Sequence, residues 1–185
     1  MPKYMQGQAS DPGCIVVSRK KLEEFITPTG LKHRLSSGLF RKPDPKPYNF
    51  DRIQEHMIYG DSRAAVVMAT KPHLLVAVYT DELDCVRVMR FHNRYIKRYG
   101  LKVGSPLLTV NTYMQGDTLA PDLTPGPLST GRFVEFNPII ADFITDDYER
   151  VAERKHGISQ QEWDRAYTMG VTFLREKLGL KPQDA

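Results

Sequence analysis

Cysteine is scarce in this chain of 185 residues: Cys14 and Cys85 are the only two, and 70 residues separate them. That spacing makes neither a CxxC redox pair nor a metal-ligand pair. Two inert thiols are the ordinary state of a chain in a reducing compartment. Long apolar runs are missing as well. The best stretch, residues 64–79, is broken by Thr70-Lys71-Pro72-His73, whereas a membrane-spanning helix needs about 20 consecutive apolar residues. Residues 1–13 have no hydrophobic centre of the secretory kind, and Asp11 with the early Pro and Gly spoils an amphipathic import helix. The expected location is cytoplasmic. Phosphate-cradling GxxxxGK[ST] and GxGxxG loops, a GxSxG nucleophile elbow and an HExxH zinc pair are all absent. Nothing in the sequence calls for a cofactor, a metal or an assigned catalytic residue.

Core-forming material is plentiful. Apolar residues make up 41% of the chain, with eight Phe, nine Tyr and one Trp. A chain of this size and content builds a core without disulfides, and composition excludes global disorder. The expected organisation is one α+β domain over residues 1–185. It carries a flexible lead-in (1–13), a Pro-rich connector (41–49, RKPDPKPYN) and an irregular Pro/Gly-rich loop (115–131). A loop that long is commonly functional, so a covering arm or an interaction loop is the reading given to it.

The patterns place elements along the chain. Ser18 caps a helix ending near Ile26, with Leu22, Phe25 and Ile26 on one face. Pro28 and Gly30 end it, and a second short helix follows over 31–40. Asn49 caps another helix, closed by Gly60. The segments AAVVMA, LLVAVY, CVRVMRF and LLTVNTYM read as strands. Their connections are too short for crossover helices, so the pairing is antiparallel. RFVEFN is read as the last strand. A helix is then expected over 138–155, with Pro138 in its first turn and Asn137 as its cap. The SQQE box at Ser159 opens a final helix, and Gly179 stops it. Trp163, Tyr167, Val171, Leu174 and Leu178 form its expected buried stripe. The fold class is therefore α+β: a small antiparallel sheet of four or five strands covered by N-terminal and C-terminal helices.

Charge is uneven. Residues 1–60 hold ten Lys/Arg against six Asp/Glu, residues 61–110 eight against four, and residues 111–185 eight against twelve. Internal pairing between the halves, self-association, or an anionic partner would each use this asymmetry. The most pointed feature is RVMRFHNRYIKRYGLK. It contains Arg87, Arg90, Arg94, Lys97, Arg98 and Lys102 with no acidic residue among them. In a helix starting near Phe91, Arg94, Lys97 and Arg98 share a face, beside Phe91, Tyr95 and Tyr99 at intervals of four. Guanidinium groups pair with phosphate and aromatic rings stack on bases. The expected function is non-enzymatic docking of an anionic macromolecule or partner protein, nucleic acid among them. Its candidate binding residues are Arg87, Arg90, Arg94, Tyr95, Lys97, Arg98, Tyr99 and Lys102. The plainer reading packs the rings inward and leaves the charges to water or to acidic residues of the same chain.

Two rival readings stand beside it. A small enzyme would use Cys85 with His92 as nucleophile and base, or carboxylates among Asp142, Asp146, Asp147, Glu149 and Glu153. A strand of seven residues between Cys85 and His92 argues against that pair. A structural subunit would use the Pro-rich segments and the charge asymmetry to organise an assembly, a homo-oligomer included. None of His33, His56, His73, His92 and His156 falls in a dense ligand motif.

Overall fold

The computed structural model describes residues 9–26 and 49–180. The second short helix, the Pro28/Gly30 stop and the connector up to Tyr48 fall outside these residues, as does most of the lead-in. The fold is α+β. Five strands form one antiparallel sheet in the order β3-β2-β1-β4-β5. They are β1 (Asp61–Ala69), β2 (Leu74–Thr80), β3 (Cys85–Phe91), β4 (Pro106–Met114) and β5 (Glu135–Ile140). Helix α1 (Arg19–Ile26) and helix α2 (Phe50–Tyr59) precede the sheet. Helix α3 (Arg94–Tyr99) links β3 to β4. A 3-10 turn (Ala141–Phe143), α4 (Tyr148–Gly157) and α5 (Gln160–Leu178) follow β5.

Short turns at 70–73 and 81–84 fix the register of the first three strands, Val66 lying opposite Ala77 and Ala77 opposite Val88. Strand β1 is central and buried along its whole length. Both of its faces are covered, which is why AAVVMA is a continuous apolar run rather than an alternating one. Ala64, Val66 and Met68 share a face with Ala77 and Val88, and α5 packs across that side of β1, β2 and β3. Gly170 of α5 sits so close that a Cβ there would lie 2.8 Å from Ala77 Cβ and from Met68 Sδ.

The sheet curls until its two edge strands approach each other. Arg87 of β3 spans the seam and donates Nη1–H to the Phe136 carbonyl of β5 at 2.6 Å. The curl has two unlike ends. At one lie the start of β1, the turn 81–84, the end of β4 and the irregular chain between β4 and β5. At the other lie the end of β3, α1, α3 and the 3-10 turn. There Phe25, Phe91, Tyr95 and Phe143 pack together, with Tyr95 stacked on Phe143 at 4.5 Å and Phe91 meeting Phe143 edge-on at 5.2 Å. Each such ring stabilises the fold by about 1.5–3 kcal/mol through burial alone.

The caps of α2 and α5 sit where the sequence places them, whereas Asn137 caps nothing and pairs with Thr112 inside β5. The Asn49 side chain accepts from the amides of Asp51 and Arg52, and Ser159 accepts from Glu162. Gly179 takes the left-handed conformation that ends α5. Four expectations are corrected. The last strand is Glu135–Ile140, so only the second half of RFVEFN belongs to it. No helix spans 138–155: Pro138 pairs with Asn111 inside β5, and α4 begins only at Tyr148, capped by Asp147. Proline is tolerated there because β5 is an edge strand. The basic helix begins at Arg94, since Phe91 is the last residue of β3. The expected stripe of α5 is displaced: Ala166, Gly170 and Leu174 are its buried residues, while Tyr167 and Leu178 are exposed.

Candidate functional site

The basic segment divides into a structural half and an open half. Arg87 belongs to the seam. Its guanidinium lies 2.9 Å from Asp122 and 3.8 Å from Glu135, in addition to the Phe136 carbonyl. Arg90 is half-buried near the end of β3, opposite Leu75. Arg94 donates to the Glu24 carbonyl in the last turn of α1 at 2.5 Å and to the Tyr95 hydroxyl at 3.2 Å. A cation there satisfies an orphan carbonyl and complements the negative end of the helix dipole. Arg98 pairs with the Glu24 carboxylate at 2.5 Å yet remains 41% exposed. The pair holds the Glu24 carboxyl below its usual range.

The aromatic rings of the segment point inward. Tyr95 is only 2% exposed and is enclosed by Phe25, Tyr99 and Phe143. Its ring is not available to stack on a base. Tyr99 is half-buried, and its hydroxyl is enclosed with no hydrogen-bond partner among the described residues. Burial raises the Tyr99 phenol above its ordinary pKa. Lys97 and Lys102 are exposed, as is Lys20 on α1 one helical turn before Glu24. The structure therefore brings Arg94, Arg98, Lys20 and Glu24 together where α1 meets α3. Lys97 and Lys102 lie along the open side, and Arg87 stays apart at the seam.

The rival constellations are placed as clearly. Cys85 and His92 lie at opposite ends of β3, roughly 20 Å apart by strand geometry. Burial pushes the Cys85 thiol up to about 12, away from the reactive thiolate. His92 Nδ1 instead accepts from the Arg94 amide at 3.0 Å. Among the late carboxylates, Asp142 receives the Leu108 amide and Lys155 Nζ, Asp146 pairs with Lys21, and Asp147 caps α4. Glu153 pairs with Arg150, and Glu149 is exposed in the first turn of α4. Among the described residues no group of three or more His, Cys, Asp or Glu is placed to hold a metal ion. No helix among them is long and apolar enough to cross a membrane.

Two features escaped the sequence reading. The first is a buried polar cluster at the start of β1. Asp61 Oδ1 accepts from the Asp11 amide at 2.9 Å, and Asp61 Oδ2 accepts from the Tyr113 hydroxyl at 3.0 Å and lies 2.7 Å from Arg63. Arg63 also reaches Asp81 at 2.6 Å, and the Glu162 carboxylate accepts the Ala64 amide beside it. Burial pushes the Asp61 carboxyl up to about 6 despite the lowering by Arg63, and burial likewise raises Glu162. The signal was two opposite charges, two positions apart, opening an otherwise mostly apolar strand (DSRAAVVMA). The second is a groove of about 300 Å³ between α5 and the irregular segment, lined by Val86, Thr124, Pro125, Met169, Thr172 and Phe173. Its wall is latched: Asp84 accepts the Leu128 amide, and Arg165 grips the same carboxylate with two bonds of 2.5 Å. Residues so far apart in sequence carry no shared spacing that would announce a groove. Neither a family model, nor a curated protein, nor a solved structure matches this chain.

Proposed function

We propose that the protein is a non-enzymatic binding protein that docks an anionic macromolecule through the face formed by α3 and α1. The observation that carries this reading is the exposure of Lys97 and Lys102 on the segment that also holds the half-open Arg98, while Lys20 of α1 is exposed near the Glu24 carboxylate that Arg98 pairs with. The contact is electrostatic. With Tyr95 enclosed, stacking contributes nothing, so the surface fits a phosphate or sulfate backbone rather than splayed bases. Such a surface recognises charge density, not sequence. Arg94 and Arg98 act by fixing α1 against α3, which holds the lysine stems at a constant spacing.

The test uses fluorescence anisotropy with a labelled RNA oligonucleotide and, in parallel, heparin. Two or three phosphate contacts give a logarithmic salt slope of about −2. The double variant Lys97→Ala/Lys102→Ala removes two exposed charges and leaves the α1–α3 contacts intact. It is expected to shrink that slope by about 1 to 2 and to weaken binding about tenfold, with an unchanged melting temperature. Binding by the double variant equal to that of the wild type, or no binding of either polyanion at low salt, would reject the proposal.

A further inference from the structure

Two small residues and one leucine seat α5 on the sheet. Ala166, Gly170 and Leu174 are its buried residues, and Gly170 leaves no room for a side chain against Ala77 and Met68. The close approach turns the bulky residues of the helix onto its flank. Trp163 and Val171 are half-buried, while Tyr167 is 37% and Leu178 47% exposed. Trp163, Tyr167 and Val171 follow at intervals of four, and Leu178 comes seven later, so the four make one continuous apolar strip. Asp164 and Arg175 border it, both exposed, opposite in charge and about three helical turns apart on the same side.

We propose that this flank docks a second copy of the chain, α5 against α5, antiparallel about a two-fold axis near Met169 and Gly170. In that register Asp164 of each copy faces Arg175 of the other. Leu178 covers Trp163, and Tyr167 meets Val171. One two-fold operation makes every contact twice, which is the self-complementarity an isologous interface requires. A parallel pairing would set Asp164 on Asp164 and Arg175 on Arg175, and like charges oppose it. The opposite signs at opposite ends of the strip are what select a second copy over an unrelated protein: the strip already carries its own complement. Asp164 is held ready by Gln160, whose Nε2 donates to it at 2.8 Å. The strip lies on α5, so this proposal and the polyanion surface of α3 stand or fall separately.

The experiment is light scattering of the whole chain across about 1–200 μM, the range in which a modest interface populates a dimer. The expected mass rises from one chain to two. Asp164→Arg sets two repulsive pairs at the interface and is expected to raise the dimer dissociation constant about tenfold. Arg175→Asp does the same. The double variant Asp164→Arg/Arg175→Asp restores opposite charges across an antiparallel pair and is expected to return to within about threefold of the wild type. All these side chains are exposed, so folding is spared, and circular dichroism verifies it. A single-chain mass at every concentration overturns the proposal. So does a double variant no better than its parents, which would place the contact elsewhere or with a different protein.

Discussion

The two ends of the curled sheet are built on opposite principles. The end beneath α1 and α3 is closed by rings. Phe25, Phe91, Tyr95 and Phe143 exclude water by size and pack tilted, edge-on or stacked. The end at the start of β1 is closed by charge. Asp61, Arg63 and Asp81 meet there under the Tyr113 hydroxyl, and Asn111 donates to the Tyr79 carbonyl at 2.9 Å. Burying rings is favourable with or without an ideal neighbour. Burying charges is favourable only when every partner is in place. The ring end therefore tolerates change in small steps, and the charged end fails all at once and responds to pH. The charged end also anchors distant chain: Asp61 holds the Asp11 amide, and Asp11 in turn pairs with Arg154 of α4 at 2.8 Å.

The hardest blow to the charged end is Arg63→Ala. It leaves Asp61 enclosed without its cation and is expected to cost about 3–5 kcal/mol at pH 7, read from urea unfolding. The same variant should lose less at pH 5, where Asp61 is largely protonated. A loss that is equal at both pH values would show that packing of the arginine stem, not charge, is what matters at this end.

Next in size is the pH profile itself. The folded Asp61 carboxyl titrates near 6, against an ordinary value of 3.8. The folded protein therefore holds this proton more tightly than the unfolded chain, and stability falls as pH rises from about 4 to 6. Linkage puts the change at no more than about 3 kcal/mol. Glu162, also raised, adds in the same direction. Asp84 works in the opposite sense. Burial would raise it, but Arg165 and the Leu128 amide hold it below its ordinary value, so its contribution is lost only as pH drops below about 4. Asp61→Asn is expected to flatten the profile between pH 4 and 6, whatever it does to absolute stability. An unchanged slope in that variant would remove Asp61 as its source.

The contrast also explains what could be read in the sequence. The ring end was legible because its parts are local: CVRVMRF alternates, Ser18 caps α1, and Leu22 and Phe25 fall on one helical face. The charged end was not, because Asp61, Arg63, Asp81, Tyr113 and Glu162 come from different elements, and a strand taken to start at Ala64 left the first two outside it. The helix expected over 138–155 failed for a related reason. Asn137 and Pro138 suit a helix cap and first turn, but β4 offered this stretch a ladder, and tertiary pairing outweighs local preference. On α5 the periodicity was right and the face was displaced: Leu174 is buried as expected, while Tyr167 and Leu178 are exposed. Counting apolar bulk finds Trp163 and Tyr167, whereas close packing on a sheet selects Ala166 and Gly170. Within the basic segment, charge alone could not separate Arg87, spent on the seam, from the open Lys97 and Lys102. That distinction depends on Asp122 and Phe136, which lie far along the chain.

The smallest expected effect compares the two ends by one identical substitution. Tyr113→Phe removes a hydroxyl that donates to Asp61 and accepts from Thr80 at 3.3 Å. It is expected to cost about 1–2 kcal/mol, the typical loss when a buried carboxylate is deprived of a donor. The loss should be greater at pH 7 than at pH 5, because the hydroxyl favours the charged form of Asp61. Tyr99→Phe removes a hydroxyl that is enclosed at the ring end without a hydrogen-bond partner. Relieving that desolvated group is expected to leave stability within about 0.5 kcal/mol of the wild type, or slightly above it, at both pH values. Equal losses at the two tyrosines would mean that the ends do not differ in kind, and that the hydroxyl of Tyr99 is satisfied after all.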